Sequence, residues 1–367
     1  MPAPWARSSA PSSVDRSAAL GYSQGMTVVS EANAIAALGA SADEADMIRR
    51  AWAMGGRARN AVEQIVRARC LRLLVEGPPG SGKTTAAQRL ASSLAGGLDV
   101  VDVDRDVSDA GSDSWRTWPV SLPAVVLPAG KSGKTGLRAA AQAAYDTAWG
   151  SLVVQTSAVA AELRDGRSSG VALDTATSLV TYLMDTASAA SEDLGADDDD
   201  RERMAADRYR GALYKAASTV SGQVWNLASE GVWTAPAGPV VGLALAHAKP
   251  VTDPKSREFK GWAISLGPQA ANEIRGRADF IVACGMDASE RPGVARARWY
   301  AHVDEAVSAG AKARWSLSDG GKVDEAERGP AIAALRTLDL AAFVRHIVAH
   351  RRALGFARLE RVLSSTP

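Results

Sequence analysis

Lys83 and Thr84 carry the most specific chemistry in the chain. They close the run Gly77-Pro78-Pro79-Gly80-Ser81-Gly82-Lys83-Thr84, followed by Thr85, which fits the phosphate-loop pattern G-x-x-x-x-G-K-[ST]. Gly77, Gly80 and Gly82 let the backbone turn tightly enough for successive N–H groups, and the positive end of the next helix, to face an anion. Lys83 is long enough to reach β- and γ-phosphate oxygens, and the Thr84 hydroxyl suits Mg²⁺. The expected cofactors are therefore ATP and Mg²⁺. The setting agrees: Leu71, Leu73, Leu74 and Val75 read as a buried strand before the loop, and Thr85 to Leu94 reads as a helix after it. A second glycine- and lysine-containing stretch, PAGKSGKTG at 128–136, has Pro128 where the first glycine belongs and reads as a solvated basic loop.

Hydrolysis also needs a metal-side carboxylate, a group that acts on water and a sensor of the γ-phosphate. Asp174 ends the apolar run GVALD and is followed by Thr175, which suits it to hold the metal beside Thr84; a strand-terminal Asp can also simply cap the next helix. Asp104 ends DVVDVD, where a carboxylate would polarise water, with Asp102 and Asp106 competing for the role. His247 closes VVGLALAH and would emerge at the same edge as the phosphates, as a sensor or as a structural histidine. Lys312 and Arg314 in AGAKARW are candidate trans-acting cations or a plain surface pair. Residues 249–262, KPVTDPKSREFKGW, alternate Lys249, Lys255, Arg257 and Lys260 with Phe259 and Trp262. That mixture suits single-stranded nucleic acid, and equally an ordinary flexible loop.

These residues require a scaffold of strands alternating with helices. Strands are expected at 99–104, 170–174, 240–247, 278–287, 298–304 and near 313–318, with helices near 136–163 and over 201–229. The class is α/β: a mostly parallel sheet covered on both faces, with the closely spaced late strands forming an antiparallel extension. Residues 1–30, rich in Ser, Ala and Pro, read as a flexible arm, and 31–65 as a helical segment in which Ser41 and Glu44 have capping-box spacing. The core spans 66–320, and 321–367 is a helical tail. Asp197 to Asp200 reads as an exposed acidic loop. The basic approach to the phosphate loop, Arg49, Arg50, Arg57, Arg59, Arg67 and Arg69, reads as a solvated helical face or as a DNA or subunit contact.

Composition narrows less. The 367 residues, 46% of them apolar, suffice for a sizeable core, and a net charge of +1 leaves any nucleic-acid contact to local patches. Cys70 and Cys284 lie in apolar runs and read as core residues rather than a disulfide or metal pair, which fits a cytoplasmic location. No run approaches membrane-spanning length, so no membrane partner is expected.

The order GPPGSGKTT, VVDVD, VALDTATSL, VVGLALAHAKP, a polar loop, ADFIVA and AKARW resembles the RecA-like P-loop ATPase core, closest to phage-encoded RecA-like recombination and single-strand annealing ATPases. The resemblance covers about residues 66–320. It implies a metal-site role for Asp174-Thr175, an action on water for Asp104, γ-phosphate sensing by His247, and trans-subunit roles for Lys312 and Arg314. It also implies a homo-oligomer and single-stranded DNA contact by loops following the core strands. Asp104 stands where such proteins usually have Glu, and His247 where RecA itself has Gln; the 105–169 insertion has no clear counterpart. The expected function is a Mg²⁺-dependent, DNA-stimulated ATPase acting in recombination or annealing. The rival expectations are a P-loop kinase or other small-molecule phosphotransferase, and a low-turnover nucleotide-binding assembly module.

Overall fold

Eight apolar or alternating runs become strands: β1 (Cys70–Gly77), β2 (Leu98–Asp102), β3 (Trp115–Pro119), β4 (Gly170–Asp174), β5 (Val240–Thr252), β6 (Phe259–Ile264), β7 (Phe280–Asp287) and β8 (Arg298–His302). They form one sheet in the computed structural model, which describes residues 29–103, 112–126, 134–191, 198–252, 255–256, 259–287, 298–302 and 325–365. Six strands run parallel in the order β3-β2-β4-β5-β1-β7; β8 pairs antiparallel with β7, and β6 antiparallel with β5. The expected antiparallel extension is thus only half present. β7 lies parallel to β1, because α8 (Pro268–Arg277) carries the chain back across the sheet before β7 begins. The expected strand near 313–318 lies outside the described residues.

Strand alternation divides the core in two. Leu71, Leu73 and Val75 of β1 join Leu243, Leu245, Phe280 and Val282 under α4 (Lys83–Ser93), α9 (Glu325–Arg336) and the first half of α10 (Leu340–Ser364), where Phe343 meets Phe280 edge-on at 5.2 Å. Leu74, Val101, Val171 and Ala244 face the other way, toward α5 (Lys134–Arg164), α6 (Ala176–Ser191), α7 (Asp198–Glu230) and α8. Burial on both faces explains why the central strands read as continuous apolar runs. Cys70 and Cys284 are buried free thiols in this core, their pKa values pushed up to about 11 and about 12 by burial.

The amino-terminal helices α1 (Glu31–Leu38), α2 (Ala42–Met54) and α3 (Gly56–Arg67) pack against the second half of α10. The capping box at Ser41 and Glu44 is present: Glu44 N donates to Ser41 Oγ at 3.3 Å and Ser41 N to Glu44 Oε2 at 2.8 Å. Ser30, assigned by sequence to the flexible arm, caps α1 instead, its hydroxyl accepting from Asn33 N. Arg69 is not on a solvated face. It is buried and donates to the carbonyls of Val232, Ala235, Pro236 and Gly238, tying the turn before β5 to the start of β1, and burial lowers its pKa to about 10.

Two other expectations change. Asp198–Asp200 form the first turn of α7 rather than a loop, since acidic residues favour the positive end of a helix dipole. Residues 249–262 are not a free loop: β5 continues to Thr252 and pairs with β6 from Ala248↔Ile264 to Thr252↔Phe259. Val251, Thr252, Phe259, Trp262 and Ile264 are good strand formers, and Pro250 is tolerated because β5 has outrun its other neighbours here.

Candidate nucleotide-binding site

The glycines of the phosphate loop are required by its shape. A Cβ on Gly77 would lie 2.7 Å from both the Cys284 carbonyl oxygen and Ser81 Oγ, so β7 and the loop close over this residue only if it has no side chain. Gly80 and Gly82 have φ of 74° and 75°, the left-handed region, and Gly82 turns the chain directly into α4. The loop thus delivers the amino end of an 11-residue helix to the carboxyl end of a central strand, an arrangement that favours anions.

Lys83 is buried, with its ammonium donating to Gly77 O at 3.0 Å, Pro78 O at 2.8 Å and Ser81 Oγ at 3.2 Å. Its charge is thereby held at the centre of the loop, where phosphate oxygens would exchange for the carbonyls. At the next residue, Thr84 Oγ1 donates to Asp174 Oδ2 at 2.9 Å, joining α4 to the end of β4. The Asp174–Thr175 peptide is cis.

Strand register brings the other acid and the histidine to the same edge. Gly77 aligns with His247 across β1 and β5, and Asp102 aligns with Asp174 across β2 and β4. Asp102, Asp174 and His247 share strand parity with Val100, Ala172 and Leu245, which face α4. Because β5 lies between β1 and β4, His247 stands between the loop and Asp174. Its backbone N–H donates to Thr177 Oγ1 at 3.0 Å, and its carbonyl accepts from Ser265 N at 2.9 Å, so the base of the β5–β6 hairpin is pinned beside the loop.

Asp104, Lys312, Arg314 and Arg257 lie outside the described residues. Of the competing acids, Asp102 is the one in register with Asp174, and it is buried. Lys249 is exposed on β5 and Lys255 is exposed at the hairpin turn, while Phe259, Lys260 and Trp262 belong to β6. The decoy stretch 128–136 begins α5 at Lys134, its earlier residues being outside the description.

One feature was not anticipated. Glu76, the residue before Gly77, is fully buried and forms a forked ion pair with Arg275 of α8, with Nη2–Oε1 at 2.8 Å and Nη2–Oε2 at 2.9 Å. Burial pushes its carboxyl upward in pKa, against the pull of Arg275. A carboxylate inside the apolar run Leu73-Leu74-Val75 before the loop was the available signal.

The residues fit ATP and Mg²⁺ in shape and chemistry: a cradle with no room for side chains, a central cation, and a hydroxyl beside a carboxylate. Among the described residues no three His, Cys, Asp or Glu side chains converge on a metal position. No protein-family model matches the chain, and no curated protein sequence matches it. No helix among the described residues is long and apolar enough to cross a membrane.

Proposed function

We infer that the protein is a RecA-like, Mg²⁺-dependent ATPase that acts on single-stranded DNA. The observation carrying this reading is the Thr84–Asp174 hydrogen bond, which joins the phosphate loop to the carboxylate of another strand at the spot where both would serve one cation. Bound Mg·ATP would supply the phosphoanhydride bond to be cleaved and a metal charge to offset that of the phosphates.

The chain's own residues then have separable tasks. Lys83 moves its hydrogen bonds from the Gly77 and Pro78 carbonyls to phosphate oxygens, and the α4 amino end supplies further N–H donors. Thr84 and Asp174 hold the metal side, Asp174 acting directly or through water. Asp102, or Asp104 two residues on, accepts the proton of the attacking water. His247 is aligned with Gly77 at the base of the hairpin that carries Lys249 and Lys255, which supports a role in reporting the γ-phosphate to a segment that would contact DNA.

The test is phosphate release from ATP with and without single-stranded DNA, alongside oligomeric state with ATP. The reading expects Mg²⁺-dependent turnover, raised several-fold by DNA and accompanied by assembly. Turnover absent in the presence of both Mg²⁺ and DNA would overturn it.

A further inference from the structure

We propose that the seam between α3 and α10 is a second nucleic-acid site, one that grips the backbone of duplex DNA without reading its sequence. It lies at the opposite edge of the sheet from the nucleotide: α3 leads into the amino end of β1, and the phosphate loop leaves its carboxyl end about 23 Å away.

The two helices are in close contact. A Cβ on Gly355 would lie 2.7 Å from Ile65 Cγ1, and Arg358 Nη1 donates to Gln64 Oε1 at 3.2 Å. Helical spacing then places Arg57, Asn60, Gln64 and Arg67 along the α3 side of the seam, and Arg361 one turn beyond Arg358 on the α10 side. All six are exposed. Four arginines thus line one strip, and among the described residues none of the four pairs with a carboxylate: Arg358 contacts Gln64, and Arg361 contacts its own helix at Ala357 O. The nearby acids face elsewhere. Glu63 is held by Arg59 on the flank facing Trp52, and Glu360 lies about 200° around α10 from Arg358.

Like charges gathered on a surface without counter-charges repel one another, and a polyanion relieves that repulsion. The strip from Arg57 to Arg67 is about 15 Å long. One strand of a duplex, at about 3.4 Å per phosphate, presents four to five phosphates over that length. Asn60 and Gln64 add neutral donors for the same oxygens. The strip has no aromatic side chain on which unpaired bases could stack, which separates it from the hairpin at the other edge and favours a duplex over a single strand. The proposal is independent of the nucleotide chemistry.

The experiment measures affinity for a random-sequence 30-base-pair DNA duplex, without nucleotide, over a series of salt concentrations. The variant replaces Arg57, Arg67, Arg358 and Arg361 by Gln; a second variant replaces the same four by Lys. The Gln variant should bind at least tenfold more weakly, and its slope of log K against log salt should flatten by about three units, while the Lys variant keeps the slope. An unchanged affinity and slope in the Gln variant would overturn the proposal. So would a poly-glutamate peptide bound as tightly as the duplex at equal salt, because the seam would then serve an acidic protein segment.

Discussion

Asp174 and Asp102 present two carboxylates side by side at the end of adjacent parallel strands, yet only Asp174 receives the hydroxyl of Thr84. In the proposed ATPase, that asymmetry would give them different work, Asp174 on the metal side and Asp102 nearer the water. Asp174→Asn keeps an oxygen to accept from Thr84, so the fold should survive while the negative charge is lost. The Mg²⁺ concentration for half-maximal turnover should rise about tenfold or more, whereas Asp102→Asn should lower turnover and leave the Mg²⁺ requirement in place. Titrating Mg²⁺ in the ATPase assay separates the two. An unchanged Mg²⁺ curve for Asp174→Asn would reduce Asp174 to a structural partner of Thr84.

Among the elements, α10 does the most joining: its first half covers the sheet through Phe343, and its second half holds α2 and α3. Arg352 contributes by donating to Glu44 at 2.7 Å and to the Leu38 carbonyl, where the first helix ends. The Arg352 guanidinium holds the Glu44 carboxyl below its usual pKa of 4.5. A lowered folded-state pKa means the pair stabilises the fold above about pH 4.5 and stops doing so as pH falls through the folded value. Because the pair is partly exposed, its contribution is about 1 kcal/mol. Urea denaturation should show Glu44→Gln less stable than the parent by roughly that amount at pH 7, and the gap should close towards pH 3. A gap that persists at pH 3 would assign the loss to packing rather than to charge.

For the whole molecule, the proposed chemistry asks whether one chain completes its own site. The resemblance implies trans-subunit roles for Lys312 and Arg314, and on that reading Arg314→Ala should bind ATP and hydrolyse it slowly. Adding an excess of Lys83→Ala protein, with a dead loop but an intact Arg314, should restore turnover by pairing each working loop with a working arginine. Co-assembled samples that show no rescue would place the completing cation within the same chain.

The glycine loop's shape was legible in the residues because it is local: glycines at fixed spacing permit the left-handed turns at Gly80 and Gly82 that lead into α4. Helix starts such as Ser41–Glu44 and strands such as 170–174 were legible for the same reason, since their caps and apolar patterns involve near neighbours. Other features depended on residues far apart in the chain. The register that pairs Asp102 with Asp174, the insertion of β5 between β1 and β4, and the pairing of Arg275 with Glu76 are products of sheet order and helix packing. The 249–262 segment had strand-forming residues on both sides of a turn, but it became a hairpin because β5 outran its neighbours and left an edge for β6 to pair. The sequence by itself determined the glycine loop between β1 and α4 and the α/β alternation. Tertiary structure decided which distant carboxylates, histidine and arginines would share a surface, because contacts across the sheet and between helices are set by packing rather than by spacing along the chain.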